Sequence, residues 1–347
     1  MDFSECGYPP SMNESEIISI YLGPNADGKG GMSYNFSQCS YGRLNTSVED
    51  FTVIRIKPPS CSAASMCSWW SMAKLADNIA IESLDIVFFK FTFFTYLIPA
   101  GVENVCGGWL SAALLPGRQS WLMSTKQSVY RWTTVMQETF RNLGLWTSYR
   151  DGLPYEDYST VMGRGEVCLN APELGRLGWG TAAEYGSLVD SSILYMSGVY
   201  MEWLLTATYM THDNIYIRVT PDWLPSYNDI RTAKNLYIAL RVAKGGDAVL
   251  SSWIANMVHV HQVNATMDTG NSLLYTYADH RIDFTYSIPP GSRQVFTSFK
   301  LVVYVGPLSV ADTILVHLCR YLENDTECPG MPPPPPSPPN PPSPPPP

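Results

Sequence analysis

The chain has 347 residues, a net charge of −9 and a charged fraction of 15%, against roughly 25% in ordinary soluble domains. It has no Lys/Arg cluster, so the basic footprint of a nucleic-acid binder is missing. No apolar run reaches the roughly 18 residues of a membrane helix, and residues 1–16 lack the basic and apolar regions of a secretory signal, so neither a transmembrane segment nor a cleaved leader is expected. About 330 residues are long enough to bury a large core; disorder is expected only in the tail, where 13 of residues 332–347 are proline.

In chain order, apolar or alternating runs predict strands at 17–22, 53–57, 87–97, 109–115, 193–208, 215–219, 236–242, 254–263, 273–277, 282–288, 296–305 and 313–319. The period is clearest where Ile282, Phe284, Tyr286 and Ile288 alternate with Asp283, Thr285 and Ser287. Leu236, Ile238, Leu240 and Val242 alternate in the same way. The segment 87–97 is apolar on both faces and predicts a strand covered on both sides. Helices are expected only at 69–76 and 129–142, the second stopped by Gly144. Gly/Pro/Asn/Asp punctuation separates these runs. The expected fold is therefore all-β: an antiparallel jelly-roll β-sandwich with long loops and a few short helices. The expected division is an N-terminal arm with strand segments over 1–60, the sandwich over 61–327 and a polyproline tail over 328–347. The sixteen-residue run 332–347 makes a polyproline II rod about 50 Å long at roughly 3.1 Å per residue.

Residues with catalytic potential are sparse. Gly23-Pro24-Asn25-Ala26-Asp27-Gly28-Lys29-Gly30 resembles a phosphate-binding loop, but Gly30 stands where a hydroxyl residue is needed and a poor helix start follows. A glycine-rich turn between strands explains the same residues. Asp268-Thr269-Gly270 resembles the active-site turn of aspartic proteases, which need two such aspartates; the chain has one. That leaves an aspartic protease using Asp268 as a remote alternative to a simple turn. His259 and His261 share one face of an expected strand, and His212 and His280 could join them at a metal, though buried or surface histidines explain them as well. No His-Glu-x-x-His, Gly-x-Ser-x-Gly or Cys-x-x-Cys occurs. We therefore expect no catalytic residue, no cofactor and no metal. The eight cysteines are dispersed, and disulfides and buried thiols both stay open. Asn13, Asn35, Asn45, Asn264 and Asn324 open N-glycosylation sequons.

The stretch Ser83-Leu84-Asp85-Ile86-Val87-Phe88-Phe89-Lys90-Phe91-Thr92-Phe93, followed by Gly107-Gly108-Trp109-Leu110-Ser111-Ala112-Ala113-Leu114-Leu115-Pro116-Gly117, resembles the jelly-roll core of picornavirus-like capsid proteins. Tyr286-Ser287-Ile288-Pro289-Pro290-Gly291 is a second phrase of that kind. The resemblance implies a self-assembling structural protein of a virion, not an enzyme, whose partners are copies of itself and sister capsid proteins. The tail, with Ser337-Pro338-Pro339 and Ser343-Pro344-Pro345, resembles hydroxyproline-rich glycoproteins of algal and plant walls. It implies the alternative of an extracellular wall or surface glycoprotein with a lectin-like sandwich. Pro332, Ser337, Ser343 and Pro347 mark the tail as a site of glycosylation or of docking on a neighbouring subunit.

Overall fold

A computed structural model describes residues 1–62, 66–84, 87–229, 231–265, 268 and 279–330. The expected strand 273–277, Thr269, Gly270 and the tail 332–347 lie outside the described residues. The protein is mostly β, with several sheets and few helices.

The N-terminal half departs most from the expected strands. Residues 17–22 are helical, in α1 (Glu14–Leu22). The Asn13 side chain accepts the Glu16 N–H at 2.9 Å, and Glu14 and Glu16 sit in the first turn, where they favour the helix dipole. A cap and a packing partner thus outweigh the β-propensity of Ile17, Ile18 and Ile20. That partner is α2 (Gly31–Cys39). The glycine-rich loop between them is a helix–helix turn, so close that a Cβ on Gly23 would lie 2.7 Å from the Gly30 Cα. Next come α3 (Trp69–Leu84), β1 (Phe94–Ile98), the single turn α4 (Val102–Val105), β2 (Ser111–Ala113) and β3 (Gln119–Met123). These strands form a small sheet in the order β1-β3-β2, with β1 and β3 parallel. No strand forms at 53–57, and only Phe94–Ile98 of the expected 87–97 is extended as a strand. Helix α5 (Trp132–Asn142) follows, then the short strands β4 (Ser148–Arg150) and β5 (Leu153–Pro154), and α6 (Ala171–Arg176).

The second half follows the period-two reading closely. Its strands are β6 (Met201–Thr206), β7 (Tyr216–Val219), β8 (Lys234–Arg241), β9 (Met257–Asn264), β10 (Ile282–Ile288), β11 (Arg293–Phe296), β12 (Leu301–Val305) and β13 (Thr313–Arg320). Two sheets, β5-β4-β10-β9-β8-β7 and β11-β12-β13-β6, share one core. Leu236, Ile238 and Leu240 of β8 meet Leu301, Val303 and Val305 of β12 and Val316 and Leu318 of β13 there. Neighbours run as meanders, 7-8-9-10 and 11-12-13, so the double Greek key of a jelly roll is not traced by these ladders. Strand β4 lies parallel to β10, which welds the N-terminal half to the larger sheet.

All eight cysteines are paired: Cys6–Cys61, Cys39–Cys168, Cys67–Cys106 and Cys319–Cys328. The Cys39–Cys168 bond lies beside a buried clamp. Arg241, fully buried on β8, donates twice to Asp247, at 2.9 and 2.7 Å, and also to the carbonyls of Leu169 and Cys168. Asp247 accepts the Cys168 N–H at 3.2 Å and the Thr208 hydroxyl at 3.1 Å. Both charges are thus taken from water with their bonding capacity largely filled. Asp247→Ala would strand the Arg241 guanidinium. It is expected to lower the unfolding free energy by about 3–5 kcal/mol, measured by urea titration, against less than about 0.5 kcal/mol for a surface change such as Asp27→Ala.

Candidate active-site cleft

Helix α5 is amphipathic. Val135, Met136 and Phe140 face the core, where Phe140 meets Phe36 of α2 edge-on at 6.2 Å. Gly144 ends the helix at φ +95°, and the Leu145 N–H returns to the Phe140 carbonyl at 3.0 Å. The chain then turns through Trp146 and Thr147 into β4. A second tight turn lies beneath α5. The Ser148 N–H donates to the Met162 carbonyl at 3.0 Å, and the Gln137 side-chain amide donates to the Val161 and Gly163 carbonyls at 3.1 and 3.4 Å. Met162 is fully buried there.

At the C-terminal end of α5, Arg141 gathers the polar groups. Its guanidinium donates to both Glu138 carboxylate oxygens at 3.3 Å, to the Thr147 hydroxyl at 3.4 Å and to the Tyr155 hydroxyl at 2.6 Å. Glu138 is buried and also accepts the Ser111 hydroxyl at 2.8 Å. Burial pushes its carboxyl above the ordinary range, against the opposing pull of Arg141 and Ser111. Beside this cluster opens a cleft of about 540 Å³, lined by Trp146, Thr147, Tyr149, Tyr155, His280 and Arg281, among others. Trp146 and His280 stack across it at 4.9 Å.

A family profile for the gametolysin peptidase, M11, matches residues 1–298. The chain belongs to this family of metallopeptidases. No curated protein and no solved structure matches the chain.

Family membership overturns the reading as a non-enzymatic capsid protein of a virion, and with it the wall-glycoprotein and aspartic-protease alternatives. The structure supplies the physical reasons. The capsid-like phrase 107–117 contains only the three-residue β2, in the small sheet packed against α5, outside the sandwich. Residues 286–291 are the end of β10 and an ordinary turn to β11. Asp268 is buried and bound at 2.5 Å by both Arg218 and Asn235, a neutralised carboxylate with no second aspartate beside it among the described residues.

The other predicted positions scatter. Asn13, Asn45 and Asn324 are exposed, Asn35 is half-buried on α2 and Asn264 is buried at the end of β9. His259 and His261 share a face of β9, as the spacing requires, but within a sealed polar layer. The His259 Nε2 lies 2.6 Å from the Ile254 carbonyl, and the His261 Nε2 lies 3.3 Å from Asp157 and 3.0 Å from the Ser159 hydroxyl. His212 and His280 lie elsewhere, and among the described residues no group of three His, Cys, Asp or Glu could hold a metal ion.

Zinc peptidases of one class carry His-Glu-x-x-His-x-x-Gly-x-x-His followed by a methionine turn. Residues 137–147 reproduce that spacing as Gln-Glu-x-x-Arg-x-x-Gly-x-x-Thr, with Met162 in the buried turn below. A search for paired histidines passes over it. The signal that could have found it is Glu138 six residues before Gly144 at the end of an amphipathic helix. The residues present do not fit zinc. The Gln137 amide is turned to backbone carbonyls, Thr147 accepts from Arg141, and Arg141 is itself a permanent cation.

The buried polar layer carries a pH signature. Burial pushes Glu173 up to about 8 and His259 down to about 3. For Asp157 burial acts upward, but His261, Ser159 and Ser148 together hold it down to about 2. Between pH 4.5 and 8 Glu173 keeps its proton in the fold and loses it on unfolding, so its contribution to stability falls as pH rises. His259 acts oppositely between pH 3 and 6.5. Glu173→Gln is therefore expected to gain melting temperature over the wild type progressively from pH 4.5 to 8, by about 5 °C or more. Scanning calorimetry checks this; a pH-independent difference would mean that Glu173 is ionised in the fold.

Proposed function

We propose that the chain acts on extracellular polypeptides as a gametolysin-type peptidase family member, holding the polypeptide in the cleft beside α5. The match over residues 1–298, which takes in the whole of that cleft, carries the reading. The cleft's composition supports it: Trp146, Tyr149 and Tyr155 offer flat apolar faces, while Asp279, His280 and Arg281 offer polar contacts along one wall. Four disulfides that use every cysteine support an oxidising, extracellular setting. In that setting the exposed Asn13, Asn45 and Asn324 are the accessible glycan acceptors. The proline-rich run from Pro332 to Pro347 carries Ser337 and Ser343 as candidate modification points.

Fluorescein-labelled casein tests this reading. It is expected to associate saturably with the purified chain, and Trp146→Ala and Tyr149→Ala are each expected to weaken the association about tenfold while leaving the melting temperature within about 2 °C. Undiminished association in both variants would place the polypeptide elsewhere. Absence of both association and cleavage would overturn the proposal.

A further inference from the structure

Resting on the reading of the cleft as the polypeptide site, we propose that the Arg141 guanidinium is a built-in cation in the position where related peptidases hold zinc, so that this cleft engages polypeptide without a metal ion. Three observations converge. The three positions that the motif spacing reserves for zinc ligands hold Gln137, Arg141 and Thr147. Arg141, at the second of them, donates to the carboxylate of Glu138, the hydroxyl of Thr147 at the third position and the hydroxyl of Tyr155. Gln137, at the first, is committed to the Val161 and Gly163 carbonyls under the helix.

The chemistry of these groups excludes a divalent cation on its own terms. A guanidinium does not deprotonate in a protein and has no lone pair to donate, so it cannot serve as a ligand. It also pairs with Glu138, the carboxylate within the motif, which weakens the field that would attract a second cation. Its position in the last turn of α5 adds the favourable interaction of a cation with the negative end of a helix. The arrangement is thus internally satisfied: Arg141 has acceptors on both terminal nitrogens, and Glu138 accepts from Arg141 and Ser111.

The test uses the full chain. After incubation with zinc and dialysis, elemental analysis is expected to find less than about 0.1 equivalent of zinc in the wild type, and added cobalt(II) is expected to give no tetrahedral d–d absorption. The triple substitution Q137H/R141H/T147H is expected to take up about one equivalent and to show that absorption. Casein association by the wild type is expected to change less than about twofold when a chelator is added. About one tightly held equivalent of zinc in the wild type would overturn the inference, as would a tenfold or greater loss of casein association with chelator. Either result would leave the cleft standing as the polypeptide site. Conversely, lack of casein association with or without chelator would sink the functional reading while the zinc measurement still stood.

Discussion

A charge pair removed from water sets how the two halves of this protein meet. Arg241 projects from β8 on the face opposite the sandwich core, and its contacts with Asp247, Leu169 and Cys168 fix the loop before α6 against the sheet. Such a pair is tolerable in a dry interior only when further hydrogen bonds fill its remaining donors and acceptors, and here backbone groups of the N-terminal half supply them. The consequence propagates. Cys168 is bonded to Cys39 at the end of α2, α2 carries Phe36, and Phe36 seats Phe140 of α5. The position of the cleft therefore depends on a contact made on the far side of the sheet from the sandwich core.

The same face explains the unusual polarity of the buried layer. Leu236, Ile238 and Leu240 look into the sandwich core, while Tyr237, Ala239, His259 and His261 look toward α6 and the turn at 157–163. That second face is sealed by α6 and loops rather than by a second sheet. Loops bring unpaired backbone and side-chain polar groups, which must be matched one by one. Asp157, Ser148, Ser159, Asn170, Thr160 and Glu173 are that matching set; burial raises both carboxyls, but the bonds from His261, Ser159 and Ser148 outweigh it at Asp157, while at Glu173 burial prevails.

How much of this was legible in the sequence varies with the range of the forces involved. The sandwich strands read clearly, because one face packs on a common core and the period of two survives in Leu236 to Val242 and Ile282 to Ile288. Residues 17–22 misread, because Ile, Tyr and Leu suit a strand as well as a helix, and the deciding signals are one cap at Asn13 and packing on α2. The capsid-like phrases matched at the level of a short strand followed by a Pro-Gly turn. Turn chemistry of that kind is common to many β folds and says little about which sheet receives the strand. The cleft was missed for another reason: its helix is ordinary in composition, and its chemistry is written in spacing, with Glu138 and Gly144 in register and different residues around them.

That register helps explain why the substituted site holds together. A buried carboxylate such as Glu138 with no cation beside it would be uncompensated, a costly state in a low dielectric. Arg141 resolves this from within the same helix turn, three residues on, through its Nη1, and its Nη2 then requires two acceptors of its own. Thr147 supplies one from just past the helix stop. Tyr155 supplies the other from the β4–β5 hairpin, whose left-handed Asp151, Gly152 and Tyr155 bend the chain back toward α5. A non-glycine residue at φ +66° carries a strain of about 1 kcal/mol or more, which persists only where surrounding contacts outweigh it. The charge-assisted bond from Arg141 to the Tyr155 hydroxyl is one such contact. Sequence spacing, helix termination and hairpin geometry therefore meet at one guanidinium, which joins the helix end to the aromatic wall of the cleft.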